Sequence, residues 1–137
     1  AMFFNIDILI FKSKFKNDII FTGRQPQEEL EKIMASAFAL AFVPYFEGFG
    51  IPIIEALYSK TPVITNKTGV FSEAAGPNSL YIEPFDVEDL STKISKVLTD
   101  TSLSNKMKEE GLKFAQQFND DVIASNIMNC YQQVLSV

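Results

Sequence analysis

Two carboxylates, Glu47 and Glu55, bracket a Gly48-Phe49-Gly50 turn in the stretch from Tyr45 to Ala56, which reads YFEGFGIPIIEA. Glycines at 48 and 50 let a backbone approach a ligand closely and adopt angles closed to other residues. The N–H groups that open the following helix can face a diphosphate, with donors from Gly50, Ile51 and Ile53, since Pro52 has none. Glu55 lies one turn after Ile51 on the same helix face, where a carboxylate can accept both hydroxyls of a ribose. Glu47, ahead of the turn, can hold the hydroxyls of a second ring across the phosphates. A carboxylate beside a diphosphate is repelled by it, so its presence there points to hydroxyl binding. Taken singly, Glu47 could simply complement the helix dipole and Glu55 be an ordinary solvated residue. With both glycines between them the ligand reading is stronger. The pattern is not the dinucleotide fingerprint, because Ile53 stands where its third Gly would be, and it is no Walker loop.

The elements that must position this turn are a strand before it and a helix after it. Phe38–Val43 reads as a buried strand ending at Pro44, and the helix carries Pro52 in its first turn and Ile53, Ile54, Ala56 and Leu57 on its apolar side. Upstream, Asp18–Thr22 reads as another buried strand, stopped by Gly23 and Arg24. Pro26 then opens a helix with Glu28, Glu29 and Glu31 at its positive end and Leu30, Ile33 and Met34 at helical spacing. Downstream, the pattern predicts a strand over Pro62–Thr65, a short helix around Ser72–Ala75, a strand over Ser79–Ile82, a helix from about Pro84 to Leu98, and helices over 101–117 and 120–135. Ile6, Ile8 and Ile10 alternate with Asn5 and Asp7 like a strand, in a segment too short for the pattern to decide. Strands alternating with helices imply parallel pairing, right-handed crossovers and helices on both sheet faces. A doubly wound nucleotide-binding domain has about six strands, and only three or four are present. The expected fold is α/β, a partial Rossmann-like parallel sheet flanked by helices, over residues 18–137, with residues 1–17 as an N-terminal segment of unassigned structure.

Composition narrows the chemistry. The 137 residues allow one domain with a core, in which thirteen Phe supply much of the apolar area. A net charge of -5 argues against nucleic acid as a partner, and the local run Lys12–Lys16 reads as a solvated connection. No His occurs, which removes His-based triads and proton shuttles and most zinc sites. Cys130 is the sole cysteine, so no internal disulfide can form, which fits a reducing, cytoplasmic compartment; it is expected to be a buried small hydrophobe. No run reaches the length of a membrane-spanning helix. Ala1 ahead of Met2 reads as an expression scar, which would make Met2 the start of a truncated or split frame.

From Ile19 to Leu135 the sequence resembles the nucleotide-sugar-binding C-terminal domain of the family 4 type of GT-B glycosyltransferase. That family carries a Glu-x7-Glu motif, matched by Glu47 and Glu55 with Gly-Phe-Gly and Pro52 between them. Ile20-Phe-Thr-Gly23, Thr61-Pro-Val63, Gly69, Glu73 and Pro84 also fall where the family has similar residues. The resemblance implies that Glu47 contacts the donor sugar as the catalytic-site carboxylate. It assigns Gly48, Phe49, Gly50 and Ile51 to sugar and diphosphate through their backbone, and Glu55 to the ribose. It implies a nucleotide diphosphate sugar donor, such as a GDP- or UDP-sugar, retention of anomeric configuration, and no metal or other cofactor. Arg24 is a candidate neighbour of the base, against the simpler reading of a surface arginine.

The chain also departs from that pattern. Lys60 and Val70 stand where the family has Gly, Ser72 where Pro is common, and Asp120 where an aromatic often sits. The strands and Gly-rich loop that carry an Arg and a Lys for the diphosphate are absent, as is the N-terminal domain that supplies the acceptor site. The leaving diphosphate would then lack its main electrostatic support, so the chain alone is expected to be poorly active or inactive. Three readings follow: the donor-binding part of a retaining enzyme that transfers sugar to a glycan or lipid-linked acceptor, peripheral membrane association of the full enzyme included; a nucleotide-sugar-binding module without turnover; or a vestigial fragment. The strand at Asp18–Thr22 would be an unpaired edge, so pairing with another copy, as a homodimer or larger assembly, is expected.

Overall fold

The structure is a computed structural model that describes residues 6–136. In chain order its elements are α1 (Ile6–Lys12), α2 (Gln27–Ser36), β1 (Leu40–Phe42), α3 (Ile51–Tyr58), β2 (Val63–Asn66), α4 (Phe71–Ala75), β3 (Leu80–Ile82), α5 (Val87–Thr99), α6 (Thr101–Ala115) and α7 (Asp120–Leu135). The three strands are parallel and lie in the order β1-β2-β3, with Ala41 opposite Ile64 and Thr65 opposite Tyr81. Each strand-to-strand connection contains a helix, as parallel pairing requires.

Alternation along the strands sorts the core into two layers. Val63 faces α2, α3 and α4, where Met34, Ile53, Ala56, Leu57, Phe71 and Ala74 pack together. Ile64 and Ile82 face the other way, onto Val97 of α5 and Met107 of α6. All four residues of β2 are buried, as a central parallel strand covered on both faces should be. A Cβ on Gly111 would lie 2.8 Å from Leu57 Cδ2, so α6 can come this close to α3 only with glycine there. Helices α6 and α7 begin at the predicted positions 101 and 120, whereas α5 begins at Val87 rather than at about Pro84. The Asp86 carboxylate accepts the Asp89 N–H at 2.8 Å to open α5, and Asp100 accepts the Leu103 N–H at 2.9 Å to open α6.

Several expectations need correction. Residues 6–12, left undecided by the alternation of Ile6, Ile8 and Ile10, form a helix; Asn5 lies outside the described residues. Asp18–Thr22 is neither a strand nor buried. Asp18 ends a 3₁₀ turn from Lys16, residues 19–22 form no regular element, and Ile20 is 81% exposed. No strand of the described residues lies beside this segment, so its N–H and C=O groups have no ladder to join. Among the described residues the edge strands are therefore β1 and β3, and β1 is shorter and less buried than expected; Phe38 lies outside it and is 73% exposed. On α2, Met34 is buried and Leu30 partly so, but Ile33 is exposed. Cys130 is exposed, because every described residue of α7 is exposed, including Ile127, Tyr131 and Val134.

Candidate functional site

Two side chains of β2 hold the start of the site loop. Thr65 Oγ1 donates to Phe42 O at 2.7 Å, and Asn66 Nδ2 donates to Pro44 O at 2.6 Å. The buried strand thus fixes where the chain leaves β1 at the carboxyl edge of the sheet, the edge at which open α/β sheets hold ligands. Gly50 then turns the chain into α3 with φ 92° and ψ 47°, the left-handed region that favours glycine. A Cβ there would lie 3.1 Å from Ile53 Cδ1. Gly48 is different: nothing lies within 4 Å of where its Cβ would be. The fold itself therefore leaves room at Gly48, on the solvent side of the turn.

The donors at the start of α3 are fewer than expected. The Ile53 N–H donates to Gly50 O at 2.9 Å, which removes it from the set expected to face a diphosphate. The N–H groups of Gly50 and Ile51 have no hydrogen-bond partner among the described residues. At its other end α3 is anchored from two sides. Thr61, just past it, donates from Oγ1 to Met34 O of α2 at 2.6 Å, and the Tyr58 hydroxyl donates to Ala115 O of α6 at 2.9 Å.

The two carboxylates lie in separate hollows on either side of this turn. Glu47 lines a hollow of about 120 Å³ with Tyr45, Phe46 and the Thr68–Phe71 stretch that leads into α4. Glu55 lines a hollow of about 360 Å³ between α2 and α3, with Gln27, Leu30, Glu31, Met34 and Tyr58 among its walls. Glu47 and Glu55 are both half-buried, whereas Phe49 and Ile51 face solvent. Among the described residues, no lysine or arginine lines either hollow. Arg24 is exposed and lines neither. The arrangement can accept hydroxyl hydrogens at two separated points and offer two N–H donors between them.

Gln27 and Glu31 are site residues that the sequence reading did not single out; there Glu31 served only the helix dipole. Gln27 Nε2 donates to Glu31 Oε1 at 3.3 Å, so the two act together on the wall facing Glu55. The spacing of Gln27, Glu31 and Met34 places them on one stripe of α2. That periodicity was visible, but which helix it would face was not.

Comparison with known proteins places this geometry among relatives. A family model described as "Glycosyl transferases group 1" matches residues 4–114. O-antigen chain mannosyltransferase B of Escherichia coli is 31% identical over 114 residues, covering 83% of this chain and 30% of that protein. A sucrose-phosphate synthase from Thermosynechococcus elongatus superposes with a TM-score of 0.82 at 26% identity, covering 96% of this chain and 34% of that one. Anabaena HepE, solved in complex with UDP and glucose, shares the fold with a TM-score of 0.73 at 23% identity, over 89% of this chain and 33% of its own. The chain thus spans about a third of the length of these relatives. No helix of the described residues is long and apolar enough to cross a membrane.

Proposed function

The chain belongs to the group 1 glycosyl transferases, and from that premise we propose that it is the donor-holding part of a retaining glycosyltransferase that takes a nucleotide diphosphate sugar. The observation that carries this is the division of the two carboxylates between two hollows, with a turn between them bearing two N–H groups unpartnered among the described residues. A nucleoside fits the hollow of about 360 Å³, within the size range of small-ligand sites, with the ribose hydroxyls donating to Glu55. The diphosphate lies across the N–H groups of Gly50 and Ile51 at the positive end of α3. The sugar reaches the smaller hollow, where Glu47 accepts its hydroxyls. Gly48 keeps the path between the two hollows clear. The donor is a GDP- or UDP-sugar, and the transfer needs no metal.

What the hollows lack is positive charge. A departing diphosphate gains most from cations placed before the reaction begins. We assign those cations, and the larger part of the acceptor platform, to polypeptide that corresponds to the remaining two-thirds of the relatives and seats on the outer edge of β1 and on α7. The acceptor is a glycan or a lipid-linked saccharide. Alone, the chain binds the donor and turns it over poorly. A second reading, a binding module without turnover that assembles with itself, draws on the same bare surfaces: the unpaired β1 edge and the exposed apolar residues of α7.

Calorimetry with GDP-mannose and UDP-glucose tests the donor site. Saturable binding of one of them, weakened about tenfold or more by Glu55→Ala, is expected, a loss of the size of one charged hydrogen-bond partner. Absence of binding to any sugar nucleotide would sink the proposal. Sugar transfer to a saccharide acceptor would exclude the module without turnover.

A further inference from the structure

We propose that the aromatic pair Tyr45 and Phe85 forms a subsite for a neutral pyranose ring, the terminal ring of the acceptor, beside the place of the donor sugar. The inference rests on the donor-site reading given above and adds to it the chemical class of the second substrate. Tyr45 and Phe85 stand with ring centroids 4.8 Å apart at 41°. Both are largely exposed, 74% and 69%, and Phe46 next to them is 87% exposed. Three aromatic rings held in water at one edge of a sheet are unfavourable unless something covers them.

The surroundings of the pair say what would cover it. Tyr45 is the wall between two hollows. On one side is the Glu47 hollow of about 120 Å³; on the other is a hollow of about 190 Å³ lined by Val43, Asn66, Ile82, Phe85 and Asp86, among others. Each is smaller than the roughly 300 Å³ at which pockets for complete ligands begin, which suits single rings placed side by side. Their polar groups are mainly acceptors. Asn66 spends an amide hydrogen on Pro44 O and keeps its carbonyl oxygen. Asp86 accepts the Asp89 N–H on one oxygen and retains the other. Glu47 adds a third acceptor, and no lysine or arginine lines either hollow. An anionic lipid surface or a phosphorylated partner would be repelled here. A pyranose satisfies both features: hydroxyl donors around its rim, and C–H faces that carry partial positive charge toward the negative faces of the rings.

Saturation-transfer NMR on the full chain tests this with methyl α-mannopyranoside, methyl α-glucopyranoside and methyl α-galactopyranoside, with GDP and UDP observed in parallel. At least one glycoside is expected to receive saturation on its ring C–H protons, and its binding to weaken about three- to tenfold in Tyr45→Ala and in Phe85→Ala, the range of an aromatic contact. Nucleotide signals should be unchanged in both variants. Both rings are exposed, so their removal leaves the core packing intact. Glu55→Ala should do the reverse, losing the nucleotide and keeping the glycoside. No glycoside signal in the wild type, or one that neither aromatic variant reduces, overturns the subsite. Binding of the chain to phosphatidylglycerol vesicles that depends on the same two rings also overturns it, in favour of a lipid surface. Loss of nucleotide binding alone would overturn the donor site and leave a Tyr45-dependent glycoside signal standing.

Discussion

Val63–Asn66 and Ile19–Thr22 are four-residue runs rich in β-branched and apolar side chains, and the fold treats them oppositely. The first becomes β2, paired on both sides and buried at every residue. The second forms no regular element and leaves Ile20 and Phe21 in solvent. Strand propensity is a preference for a half-buried pleated surface, realised only when neighbours complete it. β2 has α3 and α4 on one face, α5 and α6 on the other, and a strand at each edge. Ile19–Thr22 has no strand beside it among the described residues.

This contrast can be broken most directly by truncation. Leu57→Ala removes a fully buried side chain of the core beside β2 and should cost about 2–5 kcal/mol in urea unfolding, whereas Ile20→Ala should change stability by no more than about 0.5 kcal/mol. Similar losses in both would mean that something packs on residues 19–22 in solution. The polar frame comes next. Thr61→Val removes one of the two donors to Met34 O, which keeps the Ala37 N–H, and should cost about 0.5–1.5 kcal/mol by the same measurement. The two glycines of the site give a sharper pair. Gly50→Ala forces a left-handed backbone on a side chain and should lower stability by about 1–2 kcal/mol. Gly48→Ala should melt like the wild type yet bind a nucleotide sugar more weakly, because only the ligand needs that space. The smallest effect is expected from pH. Burial raises the Tyr81 pKa above its ordinary value of 10.0, while its hydroxyl donates to Gly76 O at 2.5 Å. The neutral form is the favoured one, so its contribution is complete below the ordinary tyrosine range and is lost as pH rises through the raised folded value. Melting curves of Tyr81→Phe should show less decline than the wild type on that alkaline side.

Much of the architecture was legible from local signals. Pro52 sits in the first turn of α3, and the strand-like runs at 38–43, 62–65 and 79–82 alternate with helices in a way that implies a parallel sheet. The family was legible as well, because the Glu47–Glu55 spacing with its glycines is a local pattern. What local signals could not convey was the state of the periphery. The apolar positions of α7 have helical periodicity whether or not a partner covers them, so Cys130 read as buried and is exposed. Residues 6–12 could alternate as a strand or wind as a helix, and with no neighbouring strand the helix satisfies their backbone internally.

The sequence by itself determined which residues are proposed to carry the chemistry: two carboxylates eight positions apart and the glycine turn between them. It also determined the alternation of strands and helices that sets such a turn at a sheet edge. Only the tertiary structure decided that the carboxylates open into different hollows, that Gln27 and Glu31 share the one at Glu55, that Ile53 has no free N–H, and that Tyr45 and Phe85 meet beside Glu47. The physical reason is range. Backbone angles, caps and periodicity act over a few residues and leave their marks in order along the chain. A hollow is the space left between elements far apart in sequence, and its walls are known only once those elements have packed.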